Sequence, residues 1–178
     1  QAGNITIDVA DDKTLTYSGT AISLGANTLT LSGGGRFSNT NHLDLNNASS
    51  KLLLNSITVD NVSTTSDSLG LDVDANSTVT SLSVANITPV SIASGSSLSG
   101  GITVTAGSIK LGEAGTLASS ISMSGGKIDA DESLAVSGAL THSGDITIDV
   151  AETKTLTYTG TAISLGANTL TLSGGGSL

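Results

Sequence analysis

The chain has 178 residues, no cysteine, a single proline and a formal net charge of −9. Without cysteine there is no disulfide, thiolate metal site or cysteine nucleophile, and the acidic balance argues against nucleic acid or an anionic membrane surface as partner. No run of 18 apolar residues is present, so we predict no membrane-spanning helix. The 29 serines and 25 threonines are typical of disorder, but hydrophobic residues still reach 37%.

Those hydrophobic residues recur at every second position along most of the chain. The successive pairs are Ile5/Ile7, Leu15/Tyr17, Leu29/Leu31, Leu43/Leu45, Ile57/Val59, Leu69/Leu71, Leu82/Val84, Ile102/Val104, Ile109/Leu111, Ile121/Met123 and Leu134/Val136. Alternation of this kind predicts short half-buried β-strands. No segment shows a 3.6-residue period, and glycine and serine interrupt the chain too often for a helix.

The two ends of the sequence are nearly the same. Residues 3–37 recur as residues 144–178, with 29 of 35 positions identical. The six differences are Asn4/Asp145, Asp11/Glu152, Asp12/Thr153, Ser18/Thr159, Arg36/Ser177 and Phe37/Leu178. Long-period self-similarity is typical of stacked repeats, so we interpret the chain as a window of a tandem array with a 141-residue unit.

Short strands without helices could form a sandwich, a barrel or a solenoid. Asn-Gly and Asp-Gly hairpin signals do not occur, and no large aromatic residues are available to fill a sandwich core. We therefore predict one all-β domain over residues 1–178, a single-stranded parallel β-solenoid, with a right-handed β-helix favoured. Coils of roughly 18–27 residues are expected to start near residues 5, 28, 51, 78, 98, 116, 134 and 146. About seven rungs per unit would span ~33 Å at ~4.8 Å per rung.

Recurrent short motifs support this fold by resemblance. Thr-Leu-Thr-Leu-Ser-Gly-Gly-Gly occurs at 28–35 and 169–176, Ile-Thr-Val-Thr-Ala-Gly at 102–107 and Ile-Ser-Met-Ser-Gly-Gly at 121–126. In these motifs the chain resembles the β-helical repeat regions of bacterial adhesins, haemagglutinin-type exoproteins and autotransporter passengers. The resemblance implies an extracellular or cell-surface, elongated coil that acts as a stalk or scaffold.

Residues that could carry chemistry are few. Asp72, Asp74 and Asn76 follow the oxygen-rich spacing of a calcium loop, although the remaining ligands of such a loop are missing. His42 and His142 are the two acid–base candidates at neutral pH, and neither has a triad context. Carboxylates could still meet across stacked rungs. We predict that the chain is not an enzyme and has no cofactor, with calcium as the alternative.

Thr-x-Thr pairs are the remaining candidate binding feature, because both side chains of such a pair lie on one face of a strand. Stacked in register, they would form a hydroxyl–methyl array for ice or glycans. If they are not stacked, they are ordinary outward β-branched residues. The candidate array comprises Thr14, Thr16, Thr28, Thr30, Thr103, Thr105, Thr155, Thr157, Thr169 and Thr171.

Taken together, the sequence predicts a structural repeat segment of an extracellular filament or adhesin stalk. Unprotected rungs are templates for further strand pairing. The expected partner is therefore either the continuation of the same chain or a second copy stacked end to end. An ice- or glycan-binding solenoid is the alternative function.

Overall fold

The computed structural model describes residues 3–178, so Gln1 and Ala2 of the predicted domain lie outside the described residues. The described chain is all-β, and its strands pair in parallel. The strands stack in about eight turns, which we call rungs, and form a β-solenoid. The predicted fold class is therefore confirmed. Within residues 3–178 there is no helix, and hence none long and apolar enough to cross a membrane.

Two sheets run along the solenoid. The first sheet contains β1 (Ile5–Asp8), β4 (Thr28–Ser32), β7 (Lys51–Asn55), β9 (Gly70–Val73), β11 (Ile87–Ile92), β13 (Ser108–Gly112), β16 (Lys127–Ala130), β19 (Ile146–Val150) and β21 (Leu170–Gly174) in spatial order. Each of these strands begins a rung, so rung 1 begins with β1, rung 8 with β19 and a further partial rung with β21.

The second sheet closes each rung. Its strands are β2 (Thr14–Tyr17), β3 (Ile22–Ser23), β5 (Arg36–Asn39), β6 (Leu43–Leu45), β8 (Thr58–Thr64), β10 (Ser77–Val84), β12 (Ser97–Val104), β14 (Thr116–Leu117), β15 (Ser120–Met123), β17 (Leu134–Val136), β18 (Leu140–His142) and β20 (Leu156–Tyr158). The two short strands of rung 2, β5 and β6, both pair with the single long strand β8 of rung 3.

Strand pairing gives the coil lengths directly. A column of paired residues that starts at Ile5 runs through Leu29, Leu52, Leu71, Val90, Leu111, Ala130 and Val150. The shortest steps in this column, such as that from Leu52 to Leu71, and the longest, from Ile5 to Leu29, all lie inside the predicted range. The expected coil starts at 78, 98, 116 and 134 were wrong, because these positions fall at or next to the starts of second-sheet strands. The alternation looks the same in both sheets, so it does not show which sheet a strand joins.

The core is a narrow aliphatic channel between the sheets. Inward columns of leucine, isoleucine and valine are almost completely buried, as in Leu31 and Leu54 of neighbouring rungs. Polar groups that face inward pair across rungs. Asn39 and Asn61 each donate a side-chain N–H to the other's backbone carbonyl, at 2.7 and 2.6 Å. Buried polar groups are usually paired in this way, so these two asparagines are accommodated between rungs 2 and 3.

Rungs slide along the sheet from one end of the repeat unit to the other. The column that begins at Ile5 reaches Val150, whereas the residue equivalent to Ile5 in the second copy of the repeat is Ile146. The strands of the second copy are therefore shifted by four residues against the vertical column. The hydrogen-bond ladder continues through this shift, since every strand of the first sheet is paired with the next.

Candidate functional site

The predicted threonine pairs do not form one array. Thr14 lies beneath Arg36, Thr28 beneath Lys51, and Thr30 beneath Leu53. The residue directly above each of these three threonines is therefore charged or apolar, so no column of threonines continues upward from them.

The other pairs lie apart from these. Thr16 lies beneath Ser38, Thr155 bridges to Ser177, Thr157 lies above Ala135, Thr169 donates its backbone N–H to Asp145, and Thr171 lies above Thr147. Only Thr103, with Thr105 two residues later, belongs to a long column of hydroxyl residues.

That column runs along the second half of the second sheet. Its paired residues are Ser23, Asp44, Ser63, Ser83, Thr103, Ser122 and Thr141. Thr65, Thr105, Ser124 and Ser143 follow two residues after the column and donate their backbone N–H groups to the rung below. We call Ser63, Ser83, Thr103, Ser122, Thr141 and these four residues the hydroxyl face. Thr-x-Thr motifs mark only one rung of this face, because most of its members are serine.

Charges are concentrated elsewhere, in ion pairs that mostly connect neighbouring rungs. Arg36 pairs with Asp60 at 2.6 Å, and Lys110 pairs with Asp131 at 2.7 Å. Lys51 pairs with Asp72, and Lys154 pairs with Glu132 at 2.5 Å. Exposed pairs of this kind each stabilise a protein by about 0–1 kcal/mol. Each of these pairs places a positive side chain next to a negative side chain of the adjacent rung.

One lysine bridges two carboxylates across a rung boundary. Lys127 Nζ lies 3.1 Å from Asp129 and 3.2 Å from Asp149, which share a column. Its hydrogen bond to Asp129 raises the pKa of Lys127, although burial acts in the opposite direction. The hydrogen bond from Ser173, followed by that from Lys127, lowers the pKa of Asp149. A glycosidase-type general acid needs a raised carboxyl pKa, so this cluster is suited to ion pairing.

The three calcium candidates have other partners or lie apart. Asp72 is held by Lys51, and Asn76 Oδ1 accepts hydrogen bonds from Ser97 N–H at 2.9 Å and Ser97 Oγ–H at 3.1 Å. Asp74 is exposed beyond the end of β9. Among residues 3–178, no group of three or more acidic or histidine side chains is arranged to hold a metal ion.

The histidines lie at opposite ends of the solenoid. His42 is exposed, and its backbone carbonyl accepts the Ile22 N–H at 3.0 Å. His142 is partly buried at the end of β18, with Nδ1 3.0 Å from the Gly144 carbonyl oxygen and with Nε2 shielded from solvent. The structure therefore does not bring the two together.

The two copies of the repeat share internal hydrogen bonds. Ser32 Oγ donates to Asp8 at 2.8 Å, and the equivalent Ser173 Oγ donates to Asp149 at 2.7 Å. Equivalent backbone bonds, Arg36 N–H to the Lys13 carbonyl and Ser177 N–H to the Lys154 carbonyl, both measure 2.9 Å. These parts of the segment therefore adopt the same local structure at both ends.

What differs between the copies is which side is covered. In residues 3–37, the side that points away from rung 2 is open. There Ile5 is 45% exposed and Leu15 is 44% exposed. Their equivalents Ile146 and Leu156 are each only 2% exposed, because rung 7 lies beneath them. We call this side the lower face.

On the opposite, upper face the difference is reversed. Leu172 is 59% exposed and Leu178 is 52% exposed. Their equivalents in the first copy, Leu31 and Phe37, are 0% and 2% exposed because β7 and β8 stack on them. Each face of the repeated segment therefore has a partner rung at one place in the chain and is open at the other.

The comparisons with known proteins give no relative. No known protein family, no curated protein sequence and no solved structure matches the chain.

Proposed function

We propose that the chain is a structural repeat segment of an extracellular filament or adhesin stalk, whose rungs stack into a stiff rod. The observation that carries this proposal is the paired burial of the repeated segment. Its lower face is covered in residues 144–178 and its upper face is covered in residues 3–37. The contacts that would continue the rod in either direction are therefore both present within this chain.

The boundary between consecutive repeat units, near residues 143 and 144, supports the proposal. Rung 7 and rung 8 meet there through an ordinary backbone ladder, in which Leu134 N–H donates to the Thr155 carbonyl at 3.1 Å. Lys127–Asp149 and Glu132–Lys154 ion pairs cross the same boundary. The unit boundary is thus as continuous as any other rung junction, which is what a rod of many units needs.

The proposed role is mechanical and requires neither catalysis nor a cofactor. Parallel ladders join every rung to the next, and the aliphatic channel between the sheets is continuous. The outward serine, threonine and aspartate residues keep such a rod soluble. The cell-surface location is supported by the cysteine-free, acidic composition and by the resemblance to adhesin repeats.

The rod proposal predicts a fixed length increment. Chains with one, two and three 141-residue units are expected to lengthen by ~33 Å per unit, since seven rungs are added at ~4.8 Å each, while the cross-section stays constant. Small-angle X-ray scattering measures both quantities. A cross-section that grows with unit number would mean that units pack side by side, and would contradict the proposal.

Protease treatment of intact cells tests the proposed cell-surface location, and a chain that is fully protected from the protease would contradict that location.

A second candidate function is supported by the hydroxyl face. The uncharged members of the hydroxyl face, at ~4.8 Å spacing, favour ice over glycans, because the chain has almost no aromatic residues to stack sugars. Thermal hysteresis is the expected activity. Thr103→Glu, in the middle of the face, is expected to abolish it, whereas Thr30→Glu on the first sheet is expected to retain it. If the wild-type chain shows no hysteresis, this candidate fails.

A further inference from the structure

The upper face of residues 3–37 is held by contacts that a second segment reproduces. β4 pairs with β7 over five residues, from Thr28–Lys51 to Ser32–Asn55, and its inward Leu29 and Leu31 are buried there. Beyond the corner, Arg36 and Phe37 lie beneath Thr58 and Val59. These contacts attach the first segment to rung 3.

Residues 144–178 present an equivalent strand whose upper side is exposed. β21 carries Leu170 and Leu172 at the positions of Leu29 and Leu31, and Leu172 is exposed. The turns that precede the two strands also agree, since Gly25 and Gly166 both have φ of 57°. The exposed side of β21 therefore offers a further strand the same residue types that β4 presents to β7.

From this equivalence we propose that residues 144–178 of one copy take the place of residues 3–37 in a second copy. The acceptor is the underside of β7 and β8, and the donor is β21 with Ser177 and Leu178. The joint would leave Leu178 next to Ser38 of the second copy and would preserve the 141-residue period. The inference rests on the proposed stacking of rungs and specifies which segments meet.

Two features oppose exchange in the intact chain. The chain's own residues 3–37 are tethered, and a short tether gives an effective concentration of about millimolar. In addition, the Arg36–Asp60 ion pair has no counterpart at Ser177, and Leu178 is smaller than Phe37. Exchange is therefore expected when the chain's own segment is prevented from docking.

The test prevents docking in the full-length chain. Leu29→Asp with Leu31→Asp places two charges in the core of the first segment and is expected to convert a monomer into head-to-tail multimers. The matched control adds Leu170→Asp and Leu172→Asp, which disables the donor as well, and this chain is expected to stay monomeric. Light scattering coupled to size-exclusion chromatography measures the mass.

A disulfide trap identifies the contact, because the natural chain has no cysteine. Thr171 corresponds to Thr30, which pairs with Leu53. Adjacent strands lie ~4.8 Å apart, within the Cα separation that a disulfide spans. In the L29D/L31D background, Leu53→Cys with Thr171→Cys is expected to give a ladder of linked dimers and trimers. Within one chain the two cysteines would lie on distant rungs, β7 and β21, so a disulfide between them reports contact between two chains.

Adding Ser177→Arg and Leu178→Phe to the L29D/L31D chain restores the missing contacts and is expected to tighten association about tenfold.

A folded, monomeric L29D/L31D chain would overturn the exchange, as would equal association by the control chain that also carries Leu170→Asp and Leu172→Asp. Loss of its β-sheet circular dichroism would also overturn it, since exchange requires rungs 3–8 to fold without the first segment. The length measurements on tandem units are independent of these outcomes.

Discussion

Leu31→Ala is expected to lower the free energy of unfolding by about 2–5 kcal/mol, the usual cost of a leucine-sized cavity. Leu31 is completely buried between β1 and β7. The same substitution at the equivalent Leu172 is expected to cost less than about 0.5 kcal/mol, because that side chain is 59% exposed. Denaturant unfolding followed by circular dichroism measures both.

The pair is a matched comparison because the flanking sequence Thr-Leu-Thr-Leu-Ser-Gly-Gly-Gly is identical at both sites. Differences in strand propensity therefore cancel, and only the stacked rung differs. Equal losses at Leu31 and Leu172 would show that the second copy is also covered in solution, as it would be in a multimer. Dilution would then reduce the effect at Leu172 alone.

Gly100→Ala is expected to destabilise the chain by about 3–5 kcal/mol, combining left-handed backbone strain with overpacking. Gly100 has φ of 115°, and an added Cβ would lie 1.9 Å from the Val79 carbonyl oxygen. The clash is with backbone at an irregularity, where Val79 and Ser81 pair with consecutive glycines 100 and 101 and Thr80 is skipped. A backbone shift in β10 or β12 would be needed to relieve it.

Gly95→Ala is the control for Gly100→Ala. Gly95 also has positive φ, at 80°, but an added Cβ there meets no atom within 4 Å. Only backbone strain remains, so the expected loss is about 1–2 kcal/mol. Thermal unfolding of both variants under one condition measures the difference. If the two losses are equal, the close approach of β10 to β12 is not what requires glycine at position 100.

Strand positions were largely predictable, and the reason is local. An alternation such as Ile102-Thr103-Val104 places alternate side chains on opposite faces regardless of what stacks above, and these residues are buried and exposed as expected. Assignment to sheets was not predictable in the middle of the chain. Leu98 and Thr116 belong to the second sheet, but their local patterns are the same as those of first-sheet strands.

The hydroxyl face was missed for a related reason. Ser63, Ser83 and Thr103 become neighbours only through the register of strand pairing between rungs, and no short motif contains all three. Thr14 and Thr28, in contrast, belong to conspicuous Thr-x-Thr motifs whose upper neighbours are Arg36 and Lys51. A motif within one strand thus does not specify what lies above it.

Two properties of this chain follow from its amino-acid sequence alone. Period-two alternation specifies strands with an inward and an outward side, and the 141-residue repeat specifies that the same local structure recurs at residues 3–37 and 144–178. In rung 8 the column from Ile5 passes through Val150 and not through Ile146, and only the folded chain shows this shift. Rungs of different length are joined through turns that also differ in length. Vertical neighbours therefore depend on how all the preceding turns are accommodated, and no single segment encodes them.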